Sequence, residues 1–224
     1  PGVTNTATST WTDPVIGAQT RNSAQTSVQI VEPLITQAKT DNVNPSRVIP
    51  DQIVTYTLTT TNSSATRVST AYDTTIVDHV PAGLTPIDVA PGNLPLADGA
   101  IVPGTTSAVW NQAARTITRT GVDIAPNSNV AMTYRVRVDN PAVAGNTLTN
   151  SVTATTTSMS GVVTGERTAA STPNTGYTST TTDTVRIGGA TVTKTADRTT
   201  ATVGDPVQYT AVVTIPANIN LYDV

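Results

Sequence analysis

The sequence predicts an all-β chain that folds as a two-sheet sandwich. Threonine and valine dominate the strand-like runs, and both residue types favour the pleated, half-buried surface of a sheet. Clusters of Gly, Pro, Asn and Asp separate these runs at short spacing, and no helical hydrophobic period is sustained. About seven to nine short strands in about 150 residues fit a sandwich of the immunoglobulin-like type, and a barrel is the structural alternative.

Two stretches of sequence occur twice. VTNTATSTW, which contains Asn5, returns as LTNSVTATT, which contains Asn150, and both asparagines have apolar neighbours. LITQAKTD, which contains Lys39, returns as TVTKTAD, which contains Lys194. The chain therefore holds about one and a half copies of a repeat of about 150 residues.

The repeats predict one full domain flanked by two partial repeats. Residues 1–31 are interpreted as the C-terminal strands of a preceding repeat, 32–185 as a complete sandwich, and 186–224 as the N-terminal strands of the following repeat. We expect the chain to be part of a longer protein.

The complete repeat is predicted to begin with the Lys39 strand and a polar turn at residues 41–46. Further alternating runs predict strands at 52–60, 67–80, 108–111, 116–120 and 130–139, a Pro- and Gly-rich surface loop at 88–104, and then the Asn150 strand.

Side chains alternate between the two faces of a strand, which assigns Asp78 and Asp73 to opposite faces. The face of Asp78 is otherwise apolar and carries Val68, Tyr72, Ile76 and Val80. Asn150 also falls on an apolar face, and so does Lys194, the second copy of Lys39. The pattern points a lysine, an aspartate and an asparagine at one core.

The order of these motifs resembles the tandem repeats of bacterial surface and fimbrial proteins that form internal isopeptide bonds. The resemblance is carried by AKTD, QIVTYTLTTTN, IVDHVPAGL, LTNSVTATTT and GERT, and it covers nearly all of residues 32–187. It implies that Lys39 and Asn150 form the bond and that Asp78 is the catalyst. Asn5 and Lys194 are then the repeat equivalents, with partners outside this chain. His79-Val80 and Asp51-Gln52 depart from the family's usual Thr-Leu and Gly-Asp, but these positions are not the reactive ones.

Burial explains how such a bond can form. Desolvation lowers the pKa of a lysine and raises the pKa of an aspartic acid, so that Lys39 and Asp78 can rest as neutral amine and neutral acid. The amine is then a nucleophile, and the acid can polarise the Asn150 carboxamide. Attack expels ammonia. The alternatives are that Lys39 reaches solvent from the strand edge or pairs ionically with Asp78, and that Asn150 bonds to a neighbouring backbone.

Other functional sites have weaker support. The net charge is −3 and the twelve Lys and Arg residues are scattered, which argues against nucleic acid. The single histidine, His79, has no partners for a metal or catalytic site, and we expect no metal, no cofactor and no turnover enzyme. Asp41–Asn44 is predicted to be a solvated turn rather than a calcium loop. Asn62-Ser63-Ser64 matches a glycosylation sequon, for which turn formation is the simpler explanation.

The predicted function is a structural repeat of a bacterial cell-surface filament, stalk or surface layer, in which an autocatalytic Lys–Asn bond stiffens a mechanical spacer. Its partners are then adjacent repeats of the same protein and neighbouring chains, with no membrane insertion in this segment, and its location is extracellular. The alternative is an adhesin module that binds a host protein or glycan through loops such as 88–104. Repetition favours the spacer, because a binding tip is usually unique and carries exposed aromatic residues.

Overall fold

The structure is a computed structural model that describes residues 2–43, 47–89, 91–171 and 176–215, together with the backbone of 219–220. Strands, turns and bends account for the regular structure of these residues, and no helix occurs among them. In particular, none of the described residues forms a helix long and apolar enough to cross a membrane. The predicted all-β class is confirmed.

The first group of strands, in residues 2–29, forms two small antiparallel sheets, each with two strands. The strands are β1 (Gly2–Asn5), β2 (Thr8–Asp13), β3 (Gly17–Asn22) and β4 (Thr26–Gln29). Strand β1 pairs with β4, and β2 pairs with β3. The predicted Asn5 strand is therefore divided between β1 and β2, which have different partners.

The central group of strands forms the sandwich. Its members are β5 (Ile35–Asp41), β6 (Arg47–Val48), β7 (Ile53–Asn62), β8 (Ala71–His79), β9 (Leu84–Ile87), β10 (Val109–Asn111), β11 (Thr116–Ile124), β12 (Ser128–Val138), β13 (Ala142–Val143), β14 (Thr147–Thr157) and β15 (Thr178–Ile187). All of them except β13 belong to two sheets, ordered β10-β11-β8-β14-β15-β6 and β5-β7-β12-β9.

The last group of strands is β16 (Thr191–Ala196), β17 (Tyr209–Thr214) and β18 (Ile219–Asn220). Strand β16 pairs antiparallel with β17. Strand β18 pairs in parallel with β13, next to the sandwich. The Tyr222-Asp223 copy of Tyr72-Asp73 lies outside the described residues.

The core lies between the six-stranded and the four-stranded sheets. Strands β7, β12 and β14 contribute every second residue to it over most of their length, as the pleat requires. Its largest fully buried apolar side chains include Leu58, Ile76, Ile117 and Met132. The separate sheets confirm the sandwich over the barrel, and the prediction missed the short strands β6 and β9.

A bulge in β8 changes which residues of that strand face the core. The pairing with β14 passes from Thr75 to Tyr72 while β14 advances only from Thr155 to Thr157, so β8 carries one extra residue there. Asp73, inside this step, has φ of 48°. The predicted alternation is correct from residue 74 onward, but Tyr72 does not share the buried face of Asp78; Ala71 is buried instead.

Strand β5 ends the four-stranded sheet, but its outer edge is not open. The Ile35 amide donates to the Gly176 carbonyl at 3.0 Å, and the Gln37 amide donates to the Ser179 hydroxyl at 3.0 Å. Gly176 has φ of 85°, and a Cβ there would lie 2.6 Å from the Pro33 oxygen, so only glycine fits this close approach. The two sheets therefore meet along β5 and β15.

Candidate functional site

Lys39 enters the core from β5. Burial in this strand recurs at Ile35 and Lys39, four positions apart on the same face of the pleat. Lys39 is opposite Leu58 of β7, and its side chain is 0% exposed. A lysine is rarely buried to this extent without a partner, so its surroundings decide its chemistry.

Asp78 and Asn150 enter the same core from the facing sheet. Asp78 of β8 is opposite Val152 of β14, and Asn150 lies two residues along β14 on the same face, which makes it the diagonal neighbour of Asp78. Asp78 and Asn150 are both 0% exposed. The structure brings the three predicted residues together between the two sheets.

Two tyrosines complete the cluster. Tyr56 of β7 and Tyr134 of β12 are directly opposite each other, and their ring centroids lie 5.7 Å apart. The Lys39 Nζ atom lies 4.9 Å from the centroid of Tyr56 and 5.6 Å from that of Tyr134. Aromatic faces attract a cation, and the rings also exclude water from the amine.

A chain of hydrogen bonds links the four polar side chains. Lys39 Nζ donates to Asp78 Oδ2, and the Tyr134 hydroxyl donates to the same oxygen at 3.0 Å. Asn150 Nδ2 donates to the Tyr134 oxygen at 2.7 Å. Lys39 Nζ also lies 3.5 Å from that oxygen. Both the amine and the carboxamide nitrogen thus reach a single phenolic oxygen.

The electrostatics of the cluster favour neutral groups. Burial lowers the pKa of Lys39, although the charges of Asp78 and Asp183 oppose that shift. Burial raises the pKa of Asp78, opposed by Lys39, by the Tyr134 hydrogen bond and by His79. Moving one proton from the lysine to the aspartate removes both buried charges and produces an amine that can attack a carbonyl.

Asp78 and Asn150 each have one oxygen without a hydrogen-bond partner among the described residues. These atoms are Asp78 Oδ1 and Asn150 Oδ1, and both are buried. A buried acceptor without a donor is costly. A proton on Asp78 Oδ1 converts one of these acceptors into a donor, which agrees with the raised pKa of this carboxyl group.

The other aspartate of β8, Asp73, is outside the cluster. Its Oδ2 atom accepts a hydrogen bond from the Gly161 amide at 2.7 Å, and its own amide donates to Asp123. Asp73 therefore braces the bulge and a neighbouring loop, and among the two aspartates Asp78 is the one beside Lys39.

The repeat equivalents lie in the flanking sheets. Asn5 is the last residue of β1 and is exposed. Lys194 lies in β16, is exposed, and has its Nζ atom 4.5 Å from the ring centroid of Tyr209. Their predicted roles are not tested by the described residues.

The turn after β5 uses its side-chain oxygens internally. Asp41 Oδ1 accepts from the Val43 amide at 2.5 Å, and Asn42 Oδ1 accepts from the Thr55 amide at 2.8 Å. Asn44 lies outside the described residues. No group of three or more His, Cys, Asp or Glu that could hold a metal occurs in the described part of the chain.

The sequon asparagine is a structural residue. Asn62 is 0% exposed, and its Nδ2 atom donates to the Ser69 and Ile124 carbonyls at 2.9 and 2.8 Å. Its Oδ1 atom accepts from the Leu34 amide at 3.1 Å. These bonds tie the end of β7 to neighbouring segments.

Sequence analysis did not identify Tyr134 or Asp183 as members of the site. Tyr134 lies in a run of alternating apolar residues and reads as an ordinary core aromatic. Asp183 is opposite Asn150 in the β14–β15 pair. The one available signal was the position of Tyr134 in an alternating strand, on the same face as Met132 and Val136.

No protein-family model and no curated protein matches the chain. Among solved structures, the major pilin SpaD from Corynebacterium diphtheriae is 12% identical over 71% of this chain and 36% of its own, with a TM-score of 0.42. BcpA, the major pilin subunit of Bacillus cereus, is 14% identical over 71% and 42%, with a TM-score of 0.40. The chain spans less than half of each pilin.

A protein of different activity matches about as well. AvmM, which catalyses macrocyclization in alchivemycin A biosynthesis, is 10% identical over 68% of this chain and 88% of its own, with a TM-score of 0.38. One fold supports many functions. The function of this chain is inferred below from its own buried side chains.

Proposed function

We propose that this chain is a structural repeat of a bacterial cell-surface filament, stalk or layer, and that an autocatalytic bond between Lys39 and Asn150 stiffens it. The observation that carries the proposal is the convergence of Lys39, Asp78 and Asn150 in one buried core, joined through Tyr134. An ordinary sandwich has no need of a buried lysine, which costs desolvation energy.

The reaction is a single turnover within one molecule. Lys39 as a neutral amine attacks Cγ of Asn150, while protonated Asp78 donates to the carboxamide oxygen and stabilises the charge that develops there. Nζ gives up one proton, the carboxamide nitrogen gains one and leaves as ammonia, and an amide joins the two side chains. Asp78 is protonated again at the end of the reaction and is therefore a catalyst.

The bond would act on stability and on force. It would close a loop of about 110 residues, and the chain-entropy model gives about 4.7 kcal/mol for a loop of 100 residues. That figure is comparable to the lower end of the roughly 5 to 15 kcal/mol by which whole domains are stable. Load would also pass across a covalent link between the two sheets.

The pairing in the N-terminal flank supports the tandem-repeat part of the proposal. Asn5 is opposite Thr26 in β1–β4, and Val3 is opposite Val28. In the sandwich, Asn150 is opposite Asp183. Leu148, two positions before Asn150, is again opposite a valine, Val185.

The pairing in the C-terminal flank supports it in the same way. Lys194 is opposite Ala211 in β16–β17, and Ala196 is opposite Tyr209. In β5–β7, Lys39 is opposite Leu58, and Asp41, two positions later, is again opposite a tyrosine, Tyr56. The lysine also lies over that tyrosine ring in both places. We infer that residues 1–31 and 186–224 are parts of neighbouring repeats with the same chemistry.

The adhesin alternative has less support. The loop at 88–104 contains no aromatic residue, and Trp110, which follows it, is 3% exposed. The exposed apolar residues of the loop, among them Leu94 and Ile101, are dispersed aliphatic side chains. A recognition surface usually relies on aromatic anchors.

The intact mass of the purified chain tests the proposal. We expect the mass to fall short of the sequence mass by one ammonia for the Lys39–Asn150 bond, and we expect Lys39→Ala to recover that ammonia. Peptide mapping should then join the segments that carry these two residues. A full sequence mass in the unmutated chain would reject the bond and leave an ordinary sandwich.

A further inference from the structure

Tyr134 lies at the centre of the hydrogen-bond chain rather than at its border. Its hydroxyl oxygen accepts from Asn150 Nδ2 at 2.7 Å and donates to Asp78 Oδ2 at 3.0 Å. The residue is 1% exposed. The hydroxyl thus contacts both the nitrogen that has to leave and the acid that has to assist it.

The reaction requires a proton transfer that Asp78 alone does not accomplish in this geometry. Lys39 Nζ has to lose a proton after it attacks, and Asn150 Nδ2 has to gain one before it can depart as ammonia. The hydrogen bond found for Asn150 Nδ2 goes to Tyr134, whereas the acid contacts the lysine. Tyr134 bridges that gap.

Resting on the proposed function, we propose that Tyr134 is a second catalytic residue, whose hydroxyl relays a proton from Asp78 to the departing nitrogen of Asn150. The order of contacts is Lys39 Nζ, Asp78 Oδ2, the Tyr134 oxygen and Asn150 Nδ2. Tyr134 thus takes part in proton transfer as well as in the packing of the core.

The proton and electron balance of the relay closes. Attack forms the Nζ–Cγ bond, and the carboxamide oxygen takes the proton of Asp78. Asp78 Oδ2 then accepts a proton from Nζ and passes it to the Tyr134 oxygen as the phenolic proton moves to Nδ2, which carries a lone pair once Cγ is tetrahedral. The Cγ–Nδ2 bond breaks, its electron pair leaves with ammonia, and the carboxamide oxygen returns its proton to Asp78. Tyr134 and Asp78 end as they began.

Tyr56, the other tyrosine of the cluster, does not have this arrangement. Its buried hydroxyl interacts with the Asn150 side chain, but it makes no hydrogen bond to Asp78 among the described residues, so it cannot pass on a proton from the acid, and its ring lies against Lys39. The two tyrosines are therefore assigned different roles by the same structure.

The test is the rate at which the full chain, produced and kept unfolded in denaturant so that it has not yet reacted, loses ammonia after dilution, followed by intact mass. Tyr134→Phe keeps the ring and removes the hydroxyl, and we expect the reaction to slow by about 100-fold or more, the usual loss for a general acid. Tyr177→Phe is the matched control, because Tyr177 is equally buried and its hydroxyl is not in the cluster. It should react at the unmutated rate.

A solvent isotope measurement separates a relay from a packing role. The unmutated chain should react more slowly in D₂O, and the residual reaction of Tyr134→Phe should show a smaller isotope effect. If Tyr134→Phe does not fold, the absence of an isotope effect in the unmutated chain would overturn the relay. An unchanged rate in folded Tyr134→Phe would also overturn it while leaving the Lys39–Asn150 bond intact. A full mass in the unmutated chain would overturn both.

Discussion

Replacing Lys39 by alanine should greatly increase the length of chain that a pulling force releases. Load enters the sandwich ahead of β5 and leaves after β15. A bond from Lys39 to Asn150 would transmit that load directly from β5 to β14, so the residues between them in sequence would not be extended. About 110 residues would be protected, which corresponds to about 360 to 400 Å of extended chain at roughly 3.3 to 3.6 Å per residue.

The structure also indicates which part of the domain is not protected. Asn150 lies in β14, and β15 follows it, so residues 151–187 are outside the bond. That segment can contribute at most about 120 to 130 Å when fully extended. We therefore expect a small release from the unmutated sandwich, and in Lys39→Ala a release about 360 to 400 Å longer.

Single-molecule force spectroscopy of the full chain, held at its two ends, measures this difference. The flanking sheets contribute equally to both proteins and cancel in the comparison. Lys194→Ala is the matched control, because it removes the repeat-equivalent lysine and leaves Lys39 in place. Equal releases from the unmutated chain and Lys39→Ala would show that no covalent link spans the sheets.

Four further expectations follow from the site. Asp78→Ala should keep the full sequence mass while Asp73→Ala still loses one ammonia; the reverse result would mean that the wrong aspartate has been assigned. The rate of bond formation should be bell-shaped in pH, because Lys39 is protonated on the acid limb and Asp78 is ionised on the alkaline limb, and their shifted pKa values bring the two limbs closer; a steady rise with pH would contradict this. Asp183→Asn should speed the reaction measured by mass, because the Asp183 charge raises the pKa of Lys39 and so disfavours the neutral amine; a slower reaction would refute the sign. In Lys39→Ala, stability against urea should fall as pH rises above the ordinary Asp value of 3.8, because the pKa of buried Asp78 is raised and the native state holds a proton that the unfolded chain has released. Adding Asp78→Asn to Lys39→Ala should remove this dependence of stability on pH. The same dependence in both variants would contradict the assignment of the effect to Asp78.

Alternation along the chain was enough to predict which face of β8 carries Asp78. The period of two holds from Thr74 to Val80 without interruption, and burial follows it. It fails at Tyr72 because the bulge at Asp73 adds a residue, and a bulge leaves no mark in a pattern of apolar and polar residues. A short-range pattern predicts a face only as far as the pairing stays regular.

The role of Tyr134 could not be predicted from the sequence for a related reason. Which core tyrosine reaches Asn150 depends on how β12 of one sheet lies across β14 of the other. That geometry is set by packing between the sheets, and no local pattern encodes it. Strands β6 and β9 were missed because their two and four residues show no alternation of apolar and polar positions.

The division of the Asn5 stretch into β1 and β2 has a similar cause. In the sandwich, the equivalent strand β14 pairs on one side with β15 and on the other with β8, which keeps it straight over eleven residues. In the first copy, β1 and β2 each pair with a different strand. Whether this stretch forms one continuous strand therefore depends on the strands it pairs with as well as on its residue types.

The edges of the two sheets bear on how repeated domains avoid pairing with each other. Tandem copies of the kind proposed would hold similar strands at high local concentration, and an open edge would let a strand of one copy add to the sheet of the next. Here β6 and β10 have two and three residues, β9 contains Pro86, and the edge of β5 is covered by Gly176 and Ser179. Apart from the β13–β18 pair, a sandwich of this kind would offer a neighbouring copy little to exchange, so a row of such repeats could fold one domain at a time without exchanging strands.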